Sequence, residues 1–207
     1  MILIKKGLNL PISGHPEPVV SDTPTINKVA IMGNDFEGMK PTMLVKEGEI
    51  VKLGQKIIED KKNPGVFFTS PCGGEVSSIN RGEKRKFLSI EIDIASDEEF
   101  VEFDLDQDPL NLLIESGLFN SFRTRPFNRT PKINDRPDKI FINACDTNPL
   151  SISPDHVITL HKQDFNAGVE FISNLFDSDT NLAYQDDDLS YSFNNVESQQ
   201  FTGPHPA

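Results

Sequence analysis

Between residues 28 and 92 the apolar positions fall in short β-branched runs separated by Gly, Pro and Asn. That pattern predicts closely spaced strands. The candidate strands are residues 28–31, 42–45, 56–59, 65–69, 75–79 and 87–92, with a turn at Asn63, Pro64 and Gly65 before the fourth. The last run alternates apolar and polar positions over most of its length, as a half-buried strand should.

The pattern changes after Asp97, Glu98 and Glu99. Residues 110–116 predict a short helix with Gly117 as its C-cap glycine. A Pro- and Arg-rich stretch over 123–137 leads to a compact apolar strand at 139–144. Phe165, Val169, Ile172 and Leu175 recur at helical spacing and predict a helix over 163–175, followed by a strand at 180–184. Strand, helix, strand in that order predicts a parallel α/β layer. Residues 201–207 read as a loop with no closing element after it, so a truncated second domain is expected.

Charge sharpens this division. The chain has 207 residues and a net charge of −12. Beyond Lys139 it has one basic residue, Lys162, against ten acidic ones. A surface of that sign excludes free nucleic acid as a partner and suits a basic one. Cys72 and Cys145 stand far apart, outside any CxxC pair, so neither a disulfide framework nor an iron–sulfur site is expected. There is no signal peptide pattern, and no apolar run approaches the ~20 residues of a membrane span.

Two glycine-bearing stretches echo one another. Val45, Lys46, Glu47, Gly48 is followed by Ile79, Asn80, Arg81, Gly82, which reads as an internal two-fold repeat of half-barrels. The pattern resembles the biotinyl/lipoyl carrier domain. A carrier needs its lysine at the tip of the hairpin between the halves, here residues 59–65 with Lys61 and Lys62. The usual carrier setting is missing, and Asn-Pro-Gly builds the turn itself, so the hairpin is expected to be structural. The fold expected is therefore α+β: a biotinyl/lipoyl-like β barrel-sandwich module over 1–100, then an incomplete Rossmann-like α/β domain over 101–207.

Candidate chemistry is sparse. His156 and His161 are five apart, which does not place two ligands on one helical face. Residues 177–188 superficially resemble a calcium loop but carry Leu182 where Gly belongs and Asp188 where Glu belongs. Neither GxGxxG nor GxxxxGK[ST] occurs, and Gly73-Gly74 reads as a turn, so the fragment alone is expected to bind neither FMN nor NADH. No catalytic residue and no metal ligand is assigned. Residues 81–86 form a basic hairpin tip, read as a solvated turn that could also touch phosphate or an acidic neighbour. Arg123, Arg125 and Arg129 lie beside Phe122 and Phe127, an arginine–aromatic grouping typical of interface anchors. Asp146, Thr147 and Asn148 follow the 139–144 strand, where α/β sheets bind ligands and where such residues also cap turns. The partner- or ligand-contact candidates are thus Arg123, Arg125, Phe127, Asp146, Thr147 and Asn148, with His205 added from the resemblance below.

Taken together, the motifs at 5–14, 38–41, 45–48, 60–66, 81–85, 123–127, 146–150 and 203–207 resemble the A-subunit family of the bacterial sodium-translocating NADH:quinone oxidoreductases. The resemblance covers the whole chain. It implies a peripheral component on the cytoplasmic face of the inner membrane, in a complex that oxidises NADH, reduces quinone and exports sodium. It places FAD, FMN and an iron–sulfur centre in other subunits and none in this segment, and it implies a scaffold or quinone-related role. The C-subunit of an Rnf-type electron-transport complex and a biotin or lipoate carrier domain are the alternatives.

Overall fold

The structure is a computed structural model describing residues 1–14, 16–19, 24–97, 99–185 and 193–206. The chain forms two compact units, Thr23–Asp135 and a second made of Met1–Asp22 with Arg136–Ala207. In the second unit the first residues of the chain pack with the last.

The Thr23–Asp135 unit is built from antiparallel sheets. Strands β2 (Lys28–Met32), β4 (Ile50–Val51), β7 (Gly74–Arg81) and β8 (Phe87–Ile94) lie in the order β2-β8-β7-β4. Strands β3 (Pro41–Met43), β5 (Lys56–Asp60) and β6 (Phe67–Thr69) form the other sheet in the order β3-β5-β6. Ile57, Ile58, Ile90, Ile92, Val51, Val66 and Val76 are almost wholly buried between them. Each such aliphatic side chain contributes about 1.5–3 kcal/mol on burial. Phe36 packs edge-on against Phe68 with centroids 4.6 Å apart.

Helix α1 (Pro109–Glu115) starts on Asp108, whose carboxylate accepts the Asn111 N–H at 3.0 Å, with Pro109 at the first helical position. It ends as expected on Gly117, whose φ of +77° only glycine adopts cheaply. Two details depart from the sequence reading. Gly48 has a φ of +82° but Gly82 one of −94°, so the echo between them is not a repeated turn. Gly74 is a strand residue rather than a turn. A Cβ there would run into the Asp93 carbonyl of the neighbouring strand.

The hairpin over 59–65 is bonded into itself. The Asp60 carboxylate accepts the N–H groups of Lys40 and Lys62, each at 3.0 Å, and Glu59 accepts the Gly65 N–H at 3.1 Å. Asn63 is buried and donates to the Pro131 carbonyl at 2.7 Å, while the Lys62 ammonium donates to the Gly38 carbonyl at 3.0 Å. A structural hairpin accounts for every one of these bonds.

The other unit holds a parallel sheet in the order β1-β11-β10-β9: β1 (Ile2–Leu3), β9 (Lys139–Ala144), β10 (Asp179–Tyr184) and β11 (Val196–Thr202). Helices α2 (Pro154–Leu160) and α3 (Lys162–Ser173) connect β9 to β10. Ala144, Ile158 and Leu182 form a small core with Ile142 and Phe165 against it. Half of the 177–188 segment, which only superficially resembled a calcium loop, forms β10, where Asp179 pairs with Lys139 at 3.4 Å; Asp186, Asp187 and Asp188 lie outside the described residues. The predicted terminal loop is shortened, because Phe201 and Thr202 complete β11.

Candidate functional site

All four strands of the parallel sheet run the same way, so the segments leaving β9, β10, β11 and β1 emerge at one edge. In open α/β sheets that edge is where ligands bind. Here it brings together four residues singled out in the sequence: Asp146, Thr147, Asn148 and His205.

Asp146 organises the loop after β9. One carboxylate oxygen accepts both the backbone N–H and the side-chain amide of Asn148, at 2.8 and 2.7 Å. The other accepts the Ser151 hydroxyl at 2.6 Å. The Ser151 hydrogen bond, then those from Asn148, hold the Asp146 carboxyl below the usual carboxylate range, with a smaller contribution from His205. A carboxylate so engaged is a poor base and a good anchor. Its own N–H donates to the Gln185 side chain, just past β10, at 3.1 Å.

His205 closes the rim from the far end of the chain. Its Nδ1 lies 2.9 Å from the Thr147 hydroxyl. Its backbone N–H donates to the Asn9 side chain at 3.2 Å, and its carbonyl accepts the Leu8 N–H at 2.9 Å. Gly7 is needed for this approach, since a Cβ there would collide with the His205 carbonyl. Asn9, Gly7, Ser151 and Gln185 therefore belong to the site and were missed in the sequence. Gly7 was the one visible signal, because nothing local announces a pairing between the two ends of the chain.

Arg123, Arg125 and Phe127 lie in the other unit, and the structure separates their roles. Arg123 is half-buried. Its guanidinium donates to the carbonyls of Asn120 and Phe122, the latter at 2.9 Å, and lies 5.6 Å from the Phe36 ring centre. It is a local clamp. Residues 124–129 instead form a small hairpin, closed by the Thr124 N–H on the Arg129 carbonyl and the Asn128 N–H on the Thr124 carbonyl, both at 2.8 Å. Its tip presents Arg125 and Phe127 to solvent, with Phe127 70% exposed.

Other reactive groups are muted. Burial, then the charge of Asp155, pushes the Cys145 thiol up, away from thiolate chemistry. Cys72 is buried. Among the described residues no group of three or more His, Cys, Asp or Glu is placed to hold a metal ion, and no helix is long and apolar enough to cross a membrane.

Fold and site together define a two-domain α+β protein, a barrel-sandwich hybrid followed by a parallel α/β domain with an internally bonded strand-end rim. The NqrA N-terminal barrel-sandwich hybrid domain matches residues 2–95, and the NqrA second alpha/beta domain matches residues 106–207. The chain belongs to the NqrA family. It is 44% identical over 221 residues to the Na(+)-translocating NADH-quinone reductase A-subunit of Glaesserella parasuis. It is 43% identical over 225 residues to that of Haemophilus influenzae, and 44% over 219 to that of Neisseria meningitidis. Each comparison covers all of this chain and 49% of the relative, so the chain spans about half the length of the curated relatives it matches.

Proposed function

We propose that this chain serves as a peripheral scaffold and docking part of a membrane complex that couples NADH oxidation and quinone reduction to sodium export. In this reading it sits on the cytoplasmic face of the bacterial inner membrane and contacts the other subunits, with quinone as a candidate ligand. The redox groups FAD, FMN and an iron–sulfur centre are held by those other components. The names of the relatives support the complex. The observation that carries the docking role is the 124–129 hairpin, which holds an exposed Arg125 and Phe127 on a tip closed by its own hydrogen bonds. A preorganised tip of arginine and aromatic loses little freedom on binding.

The test separates Arg125 from Arg123. In the complex, Arg125→Glu with Phe127→Ala is expected to reduce the amount of this protein retained on purification, and NADH-driven quinone reduction with it, while the thermal unfolding of the 207-residue chain stays unchanged. Arg123→Ala should instead lower the melting temperature, through loss of about 1–2 kcal/mol of hydrogen bonding and packing. Full retention of the Arg125/Phe127 variant would remove the hairpin from the interface.

A further inference from the structure

Several cations of the barrel unit have carboxylate partners. Lys28 pairs with Glu91 and Asp93, Lys52 with Glu99, and Lys56 with Glu115. One group differs. Lys40, Arg81, Lys84, Arg85 and Lys86 all line a cleft of about 750 Å³ between residues 33–41 and the turn after β7. Glu37 is the one acid among its lining residues, and among the described residues none of the five cations forms an ion pair. This concentration of positive charge stands in a chain of net charge −12.

The backbone is shaped to hold it. Lys84 and Arg85 are consecutive non-glycine residues in the left-handed region, with φ of +53° and +61°. That conformation is costly for such side chains, and residues so held cluster at binding sites. The turn is fixed by the Arg85 N–H on the Gly82 carbonyl at 3.1 Å and the Gly82 N–H on the Lys86 carbonyl at 2.8 Å. Across the cleft, the Lys86 ammonium donates to the Asn34 side chain at 3.1 Å. Phe36 and Phe87 supply apolar wall. A second, smaller cleft shares the wall at Phe36–Met39 and adds Lys62, Arg129 and Lys132. Its acids are Glu37, shared with the first cleft, and Asp60, which is already engaged by two backbone N–H groups.

We propose that this cleft binds phosphate groups. Its volume suits a small molecule or a headgroup. Five Lys and Arg against a single acid, Glu37, suit an anion of more than one charge and several acceptor oxygens, which arginine engages in pairs of bonds. No glycine-rich loop takes part, so recognition rests on side-chain charge and weakens with salt. The phosphate could come from a soluble ester or from an anionic lipid.

The test uses the 207-residue chain at low ionic strength, with inorganic pyrophosphate in one arm and vesicles of phosphatidylglycerol in phosphatidylcholine in the other. Lys84→Asn with Arg85→Asn removes two charges and keeps a residue that tolerates the left-handed turn. Lys5→Gln with Lys6→Gln removes two charges from the other unit as a control. Saturable pyrophosphate binding, with amide shifts confined to residues 33–41 and 81–87 and an affinity at least about fivefold lower in the Lys84/Arg85 variant only, supports the site with a soluble source. Vesicle co-sedimentation lost only in that variant, with pyrophosphate silent, supports it with a lipid source. No binding in either arm, equal losses in both variants, or wild-type amide shifts elsewhere would overturn it.

Discussion

Asp146 is a polar residue at the strand-end edge whose carboxylate is bonded within its own loop. Both of its oxygens accept hydrogen bonds from within the same loop, so its charged form is favoured in the folded chain. A carboxyl whose folded value is lowered adds stability at pH above the unfolded value, near 3.8, and that stability is lost as pH falls through the lower folded value. Asp146→Asn should therefore unfold at a lower temperature than the parent chain at neutral pH. The difference should shrink towards zero in acid. Melting curves across that range check it, and a difference independent of pH would show that shape, not charge, ties the loop. The sequence placed Asp146, Thr147 and Asn148 at the end of a strand, but it left open whether they faced a ligand or one another. Ser151 and Gln185, which bond to Asp146, are common polar residues with no motif around them.

At the scale of elements, most barrel strands were legible because they are short β-branched apolar runs with turn residues between them. The end of α1 was legible from its glycine. Gly117 caps the helix, and it also lies where a Cβ would be 2.6 Å from the Thr69 hydroxyl. Thr69 itself donates to the Ser116 carbonyl at 3.0 Å, so it has little room to yield. Gly117→Ala thus meets a left-handed backbone cost and a steric one, together about 2 kcal/mol or more. Denaturant unfolding of the chain measures the loss, and a neutral outcome would mean that the junction of helix and β6 relaxes freely. The two-residue strands β1 and β4 were not legible, and neither were α2 and β11. Helix α2 has a Ser153 cap and Pro154, both visible signals, but it is seven residues long and too short to show a period. Strand β11 carries Glu197, Ser198, Gln199 and Gln200, a polar run that nothing local marks as a strand. It is a strand because β10 pairs with it on one side and β1 on the other.

The whole molecule is organised by that last pairing. Ile2 lies opposite Phe201 and Leu3 opposite Thr202, so the two ends of the chain share one sheet although the barrel unit intervenes between them in sequence. The rim continues the link, with the Ile4 N–H on the Thr202 carbonyl at 2.8 Å and Asn9 on the His205 backbone. Hydrophobic periodicity cannot register such a contact, since two-residue β1 has no period of its own. The charge split follows the same division. The unit of Met1–Asp22 with Arg136–Ala207 carries 5 basic and 13 acidic residues, against 15 and 19 in the barrel unit. Charge of one sign does not by itself recruit a further strand, so β1 depends on its backbone bonds and on the Gly7 approach. Removing residues 1–9 should accordingly leave the barrel unit's amide protection intact while exposing β11 as a new edge. Hydrogen exchange is expected to accelerate at residues 196–202, with protease cleavage appearing around 203–206. Unchanged exchange along β11 would show that β10 alone holds it, and that the chain's ends meet without mattering to its stability.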